Sequence, residues 1–255
     1  MDSTRYIVVF ILILTSLVAV LLTGIREVTK EQAAINEEIF NKRAILAAVE
    51  NNLPDGKTVK DLDDQEVLDI FNEKVDQKVV DMEGNELDGV MAEDVDMAKE
   101  RKKPEAERRL PLFIYSNDGQ TDYIVSVRGN GLWDEIWGNI ALESDLNTIT
   151  GASFDHKGET PGLGAEIKDN PSFSRQFVGK TIFDDQGDYV SVKVQKGGAP
   201  DTAPHKVDAI SGATITSDGV TEMLYRGIHY YLPYFKKIEA GEGIPSSQQG
   251  MLIQH

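Results

Sequence analysis

Residues 110–129, LPLFIYSNDGQTDYIVSVRG, place two β-rich runs on either side of Asn117-Asp118-Gly119. Val, Ile, Tyr and Phe fill the runs, and the turn residues tolerate positive φ, so the stretch reads as a β-hairpin. Working outward, further strands are expected at 139–143, 148–154 and 189–194. Asn170-Pro171 supplies a cap and an N1 proline and Gly179 a stop, which predicts a short helix between them. Val220, Leu224, Ile228 and Tyr231 share one stripe of a helix expected over 217–235. Upstream, Asp63-Asp64-Gln65-Glu66 has capping-box spacing ahead of Val67, Leu68, Ile70 and Phe71, and VVDMEGNEL reads as strand, turn, strand. The charge-dense stretch 94–109, broken by Pro104, reads as a solvated helix or loop. Mixed antiparallel strands with several helices define an α+β domain.

The N-terminus carries a different signal. Residues 6–24, YIVVFILILTSLVAVLLTG, hold no formal charge, and 19 residues at about 1.5 Å each span roughly 28 Å, close to a bilayer's hydrocarbon thickness. A cleaved signal peptide is the competing reading, but the run exceeds a usual h-region and no A-x-A-like site follows, so a single membrane helix is expected. Its orientation is left open by charge, with Arg5 on one side and Arg26, Lys30, Lys42 and Arg43 on the other. Past the apolar run, Ile35, Ile39, Phe40, Ile45, Leu46 and Val49 mark one face of a continuing helix.

Composition narrows the chemistry. The 255 residues carry a net charge of −17, with 43 acids against 26 bases, which argues against nucleic acid as a partner because phosphate backbones are bound by clustered Lys and Arg. Zero Cys removes disulfides, thiolate nucleophiles, Cys-type zinc sites and cysteine-ligated clusters, so any redox chemistry calls for an organic cofactor. The four His show no metal-ligand spacing, no nucleophile elbow is present, and neither G-x-G-x-x-G nor a P-loop occurs. No catalytic or metal residues are expected.

Four stretches remain as candidate binding elements. Ser211-Gly212-Ala213-Thr214-Ile215-Thr216 precedes the last long helix. If Thr216 or Ser217 caps that helix, the unpaired N–H groups and the macrodipole suit a phosphate; the plainer alternative is a simple N-cap. Asp218 opposes a free phosphate unless directed to solvent. Glu159, Thr160, Gly162 and Leu163 lie in GETPGLG, a tight loop able to contact a planar ligand or to be an ordinary turn. In GNGLW, Trp133 is expected in the core rather than stacked on a ligand. In KGGAP, Lys196 faces either a phosphate or solvent.

Together these stretches resemble a family. S-G-A-T-x-T looks like the flavinylation motif of FMN-binding domains, in which FMN is joined through its phosphate to the final Thr. RGNGLW, GETPGLG, FVGK, KGGAP and VDAISGATITSDGV follow the order seen in the C subunits of sodium-translocating NADH:quinone oxidoreductases. The resemblance implies an anchor at 1–26, a helical or mixed periplasmic region at 27–109, an FMN-binding domain at 110–240 and a tail at 241–255. It also implies covalent FMN on Thr216, with Ser211, Gly212, Ala213 and Thr214 along the phosphate and ribityl chain. Glu159, Thr160, Gly162, Leu163 and Trp133 would then border the ring. The implied partners are the other subunits of a six-subunit bacterial inner-membrane complex and a separate flavin transferase. The G subunit of the ferredoxin-linked Rnf complex shares the anchor and the motif; the long segment after the anchor, and NGLW together with KGGAP, favour the quinone-reductase subunit. A membrane-anchored adaptor without a redox role is the alternative from another class.

Overall fold

The computed structural model describes residues 3–241, and they divide into two compact units with the boundary at Lys42 and Arg43. The first unit lies within α1 (Ser3–Ala47), a helix of 45 residues without a break. Its most apolar window has a mean hydropathy of 2.8 and no buried residue, so the helix is long and apolar enough to cross a membrane. The hydroxyls of Thr15, Thr23 and Thr29 donate to the carbonyls of Ile11, Ala19 and Ile25, one turn back, so that these three groups are satisfied within the helix. The expected continuation of the helix beyond the apolar run is present.

The second unit is built on a five-stranded antiparallel sheet in the order β1 (Val75–Val80), β2 (Leu110–Asn117), β3 (Gln120–Asn130), β4 (Glu135–Leu142) and β5 (Ile149–His156). The predicted hairpin is β2 and β3: Asp118 and Gly119 both have positive φ, 48° and 83°, the turn whose twist matches that of paired strands. Alternation sends Leu112, Ile114, Val125 and Val127 into a core under the C-terminal helices, while Phe113, Tyr115 and Ile124 alternate with them and are equally buried. On that opposite face Phe71 meets Phe113 edge-on at 6.0 Å, from α2 (Asp64–Lys74), which starts at the predicted Asp63–Glu66 capping box. Because β1 pairs with β2 along its whole length, residues 75–80 share the sheet of the region expected to begin at 110.

α3 (Met97–Glu100) lies between β1 and β2, and the short α4 (Glu166–Asp169) and α5 (Pro171–Arg175) follow β5, the last capped by Asn170 as expected. A second sheet pairs β6 (Lys193–Gln195) in parallel with β7 (Lys206–Asp208). Two helices close the described chain, α6 (Thr214–His229) and α7 (Leu232–Glu239). From 242 onward the expected tail lies outside the described residues.

Several expectations need correction. The strand expected at 189–194 is only the three residues of β6, because Ser191 takes φ 59° and interrupts the extension. VVDMEGNEL supplies the end of β1, but its second half makes a single bridge, Val80 to Glu86, instead of a strand. The helix expected at 217–235 starts three residues earlier and divides after His229, since Pro233 has no N–H to continue the ladder and sits instead in the first turn of α7. The stretch 94–109 is not wholly solvated: Glu100 is 3% exposed, among Lys103 and Arg109.

Candidate functional site

Three loops meet the start of α6 at one end of the sheet: residues 131–134 between β3 and β4, residues 157–165 after β5, and 209–213 after β7. Gly212 takes φ 77°, which turns the chain into the helix, and Ala213 stands at the N-cap without a capping side chain. Thr214 is therefore the first helical residue, and the N–H groups of that turn, with the positive end of the macrodipole, are left for another partner. The expected cap by Thr216 or Ser217 does not occur. Both lie inside the helix and are 1% exposed; Ser217 Oγ accepts from the Ile210 N–H at 3.3 Å. Asp218 is exposed, so its charge does not confront the helix start.

Glu159 organises the interior of the site. Its carboxylate is 4% exposed; Oε2 accepts from Thr216 Oγ1 at 2.7 Å and Oε1 from the Trp133 backbone N–H at 2.9 Å. The Glu159 N–H in turn donates to His156 Nδ1 at 3.1 Å, which makes that ring nitrogen the acceptor. Backbone passes close on both sides of the carboxylate. A Cβ on Gly164 would press on Glu159 and stand 2.7 Å from Thr216 Oγ1, and one on Gly131 would press on Glu159 and stand 2.9 Å from Ile136. No side chain fits at either position without displacing the carboxylate.

The rim is apolar and open. Trp133 is 69% exposed, which overturns its expected place in the core: its indole N–H donates to Thr160 Oγ1 at 3.0 Å and the ring faces outward. Leu132, Leu163 and Ile215 are 46%, 41% and 58% exposed, and Leu163 packs so closely on Gly212 that a Cβ there would lie 2.8 Å from Leu163 Cδ2. Beside Ser211 and Gly162 opens a cleft of about 480 Å³, lined also by Glu166, Phe173, Gln176 and Ile210. Charges near the rim are paired, Asp134 with Lys157 at 3.1 Å and Glu135 with Arg128 at 2.7 Å. The Arg128 hydrogen bond holds the Glu135 carboxyl below the usual carboxylate range.

The structure thus brings together Ser211, Gly212, Ala213, Thr214, Thr216, Glu159, Thr160, Gly162, Leu163 and Trp133. Lys196 is exposed on the turn after β6 and makes no hydrogen bond to that group. Asp208 ties this turn to the approach to Ser211 by accepting from the Ala199 N–H, while Gln195 O accepts from the Ala209 N–H at 3.0 Å. Gly131, Gly164 and Asp208 entered the sequence reading only as members of their stretches and His156 with no role, because the geometry that uses them appears only once the loops are folded together.

Thr216 does not suit the attachment expected of it. Its hydroxyl is 1% exposed and engaged with a buried carboxylate, and a phosphate there would stand beside the Glu159 carboxylate. Thr214, two residues earlier, is exposed at the uncapped helix start.

A loop-lined helix start of this kind, with backbone held close by glycines and an exposed hydroxyl at its tip, belongs to a class of cofactor-carrying domains. The family model described as "FMN-binding domain" matches residues 131–229, which contain every element of the site. The chain is 33% identical to the C subunit of the Na(+)-translocating NADH-quinone reductase of Pseudomonas aeruginosa, over 94% of this chain and 98% of that protein. The Vibrio parahaemolyticus C subunit is 32% identical over 90% and 92%. The crystal structure of the C subunit from Parabacteroides distasonis, 37% identical, superposes with a TM-score of 0.70 over 80% of this chain and 96% of that one. This chain belongs to the family formed by the C subunits of the Na(+)-translocating NADH-quinone reductases.

Proposed function

We propose that the chain is an electron-relay subunit of a sodium-translocating NADH:quinone oxidoreductase, anchored by α1 in the bacterial inner membrane with its second unit in the periplasm. In this reading it carries FMN covalently through the phosphate on Thr214. The chain would hold this FMN between an iron-sulfur centre of partner subunits and a second flavin subunit on the way to quinone, and sodium export would belong to the assembly. The observation that carries the reading is the exposed Thr214 hydroxyl at the uncapped start of α6, beside the cleft at Ser211, in a chain of this family.

The residues present fit such a group. Gly212 and Gly164 let the backbone approach where a Cβ would collide, and the first-turn N–H groups suit a phosphodiester monoanion. FMN supplies the electron-transfer chemistry when bound. The chain's own part is to hold and orient it: Leu163, Ile215 and Trp133 offer apolar surface, and Glu159 with Thr216 fixes the floor beneath them. A covalent tether removes the dissociation equilibrium, which explains why an anion can be retained on a chain of net charge −17.

Maturation by a separate flavin transferase supplies the test. Co-expressed with it, the Thr214→Ala chain is expected to stay folded at the unmodified mass, while Thr216→Val gains the FMN phosphoryl increment. The reverse pattern places the bond on Thr216; no increment in the unaltered chain removes the flavin reading altogether.

A further inference from the structure

Glu159 is more deeply buried than a tether site requires. At 4% exposure its carboxylate has the Trp133 N–H and the Thr216 hydroxyl as its hydrogen-bond donors, and among the described residues no Lys, Arg or His forms an ion pair with it. The rim charges next to it behave differently. Asp134 and Glu135, one and two residues beyond Trp133, each have a cationic partner. A buried carboxylate held by two neutral donors has no cation beside it to cancel its charge, and a charge so placed costs stability. The positive end of α6, whose third residue is Thr216, offsets part of that cost without neutralising the charge.

The surroundings show where that charge acts. Both hydrogen bonds of the Glu159 carboxylate lead to the rim: to Trp133 directly, whose indole in turn holds Thr160, and to α6 through Thr216, which lies two residues from Thr214. The glycines at 131 and 164 exclude side chains that would screen the carboxylate. The carboxylate is therefore hydrogen-bonded to the backbone of a rim residue and to the first turn of α6, beside the apolar surface offered to the cofactor.

We propose that Glu159 is a positioning residue whose uncancelled charge lowers the reduction potential of the cofactor held at this site, while its two hydrogen bonds fix the 131–134 loop on the first turn of α6. The inference rests on the FMN reading above. Reduction adds electrons to the ring system, and a fixed anion in a poorly screened interior opposes that gain, so the oxidised form is favoured.

Two substitutions separate charge from shape. Glu159→Gln removes the charge and keeps both contacts: the amide oxygen accepts from the Trp133 N–H, the amide nitrogen donates to Thr216 Oγ1, and the Thr216 proton turns to a carbonyl of its own helix. Thr216→Val keeps the carboxylate and removes one of its two donors, so that its charge is less offset toward the rim. With the flavinylated full-length chain in detergent, spectroelectrochemical titration is expected to give a midpoint potential raised by Glu159→Gln and lowered by Thr216→Val. A residue that only holds the loop would move both in the same direction or neither, and that result overturns the proposal. Should Glu159→Gln fold without acquiring flavin, Thr216→Val decides alone: a fall supports the proposal, and a rise or no change overturns it. Intact mass keeps the two readings apart. An unaltered chain that gains no flavin removes both; variants of full flavin content with an unchanged potential remove only the role of Glu159.

Discussion

Glu100 lies in a run of alternating charges, yet it is 3% exposed and accepts from Lys103 at 2.8 Å, from the Arg109 guanidinium at 2.9 Å and from the Arg109 backbone N–H at 3.1 Å. Burial pushes its carboxyl up, but the Lys103 and Arg109 contacts outweigh that and hold it below the usual carboxylate range. A depressed folded value stabilises the fold above the unfolded value, and that contribution is lost as pH falls through the folded one. Glu100→Gln is expected to cost about 3 kcal/mol in chemical denaturation at neutral pH, with the difference shrinking in acid; a gap of equal size at both pH values contradicts this. Charge density alone hid this residue, since composition does not distinguish a solvated acid from one enclosed by its bases. The two threonines of the motif were separable in principle. Thr216 lies four residues before Val220 and so falls on the buried stripe of Val220, Leu224 and Ile228, whereas Thr214 does not. The helix phase was readable from the residues; what was missing was its true start at Thr214.

Among the elements, the hairpin, the capping box of α2 and the Asn170-Pro171 start of α5 follow from local chemistry, because turn and cap residues act within three or four positions. The break between α6 and α7 was legible at Pro233. What periodicity does not give is the use of Tyr231 at that break. Its hydroxyl lies 2.8 Å from Pro111 O and 3.0 Å from Ser126 O, where β2 and β3 begin to part and Pro111 has no N–H to offer. Burial drives the Tyr231 phenol far above its ordinary pKa, so it remains a donor. Tyr231→Phe leaves those buried carbonyls without it and is expected to lower unfolding free energy by about 1–3 kcal/mol, read from denaturant midpoints at unchanged slope. A midpoint within error of the unaltered protein contradicts the role given to the hydroxyl.

At the scale of the whole chain, the apolar helix and the α+β class were both readable, the first from an uncharged run of bilayer length and the second from strands that alternate next to capped helices. The boundary was not. Arg43 donates to the carbonyls of Val59 and Leu62 at 2.7 and 2.9 Å, and Leu46, Ala48 and Val49 are buried, so the second unit starts inside a helix whose sequence shows no interruption. A chain beginning at Arg43 is expected to be monodisperse without detergent and to melt cooperatively, whereas one beginning at Asn51 loses those contacts and melts at lower temperature; equal melting of the two contradicts this boundary. The flavin reading itself is tested most directly by fragmenting the tryptic peptide between Lys206 and Arg226, taken from protein purified out of its membrane complex. The account predicts the FMN phosphoryl group on the fragment ions that contain Thr214 and exclude Thr216; a bare Thr214, with the group on Thr216 or on neither residue, contradicts it.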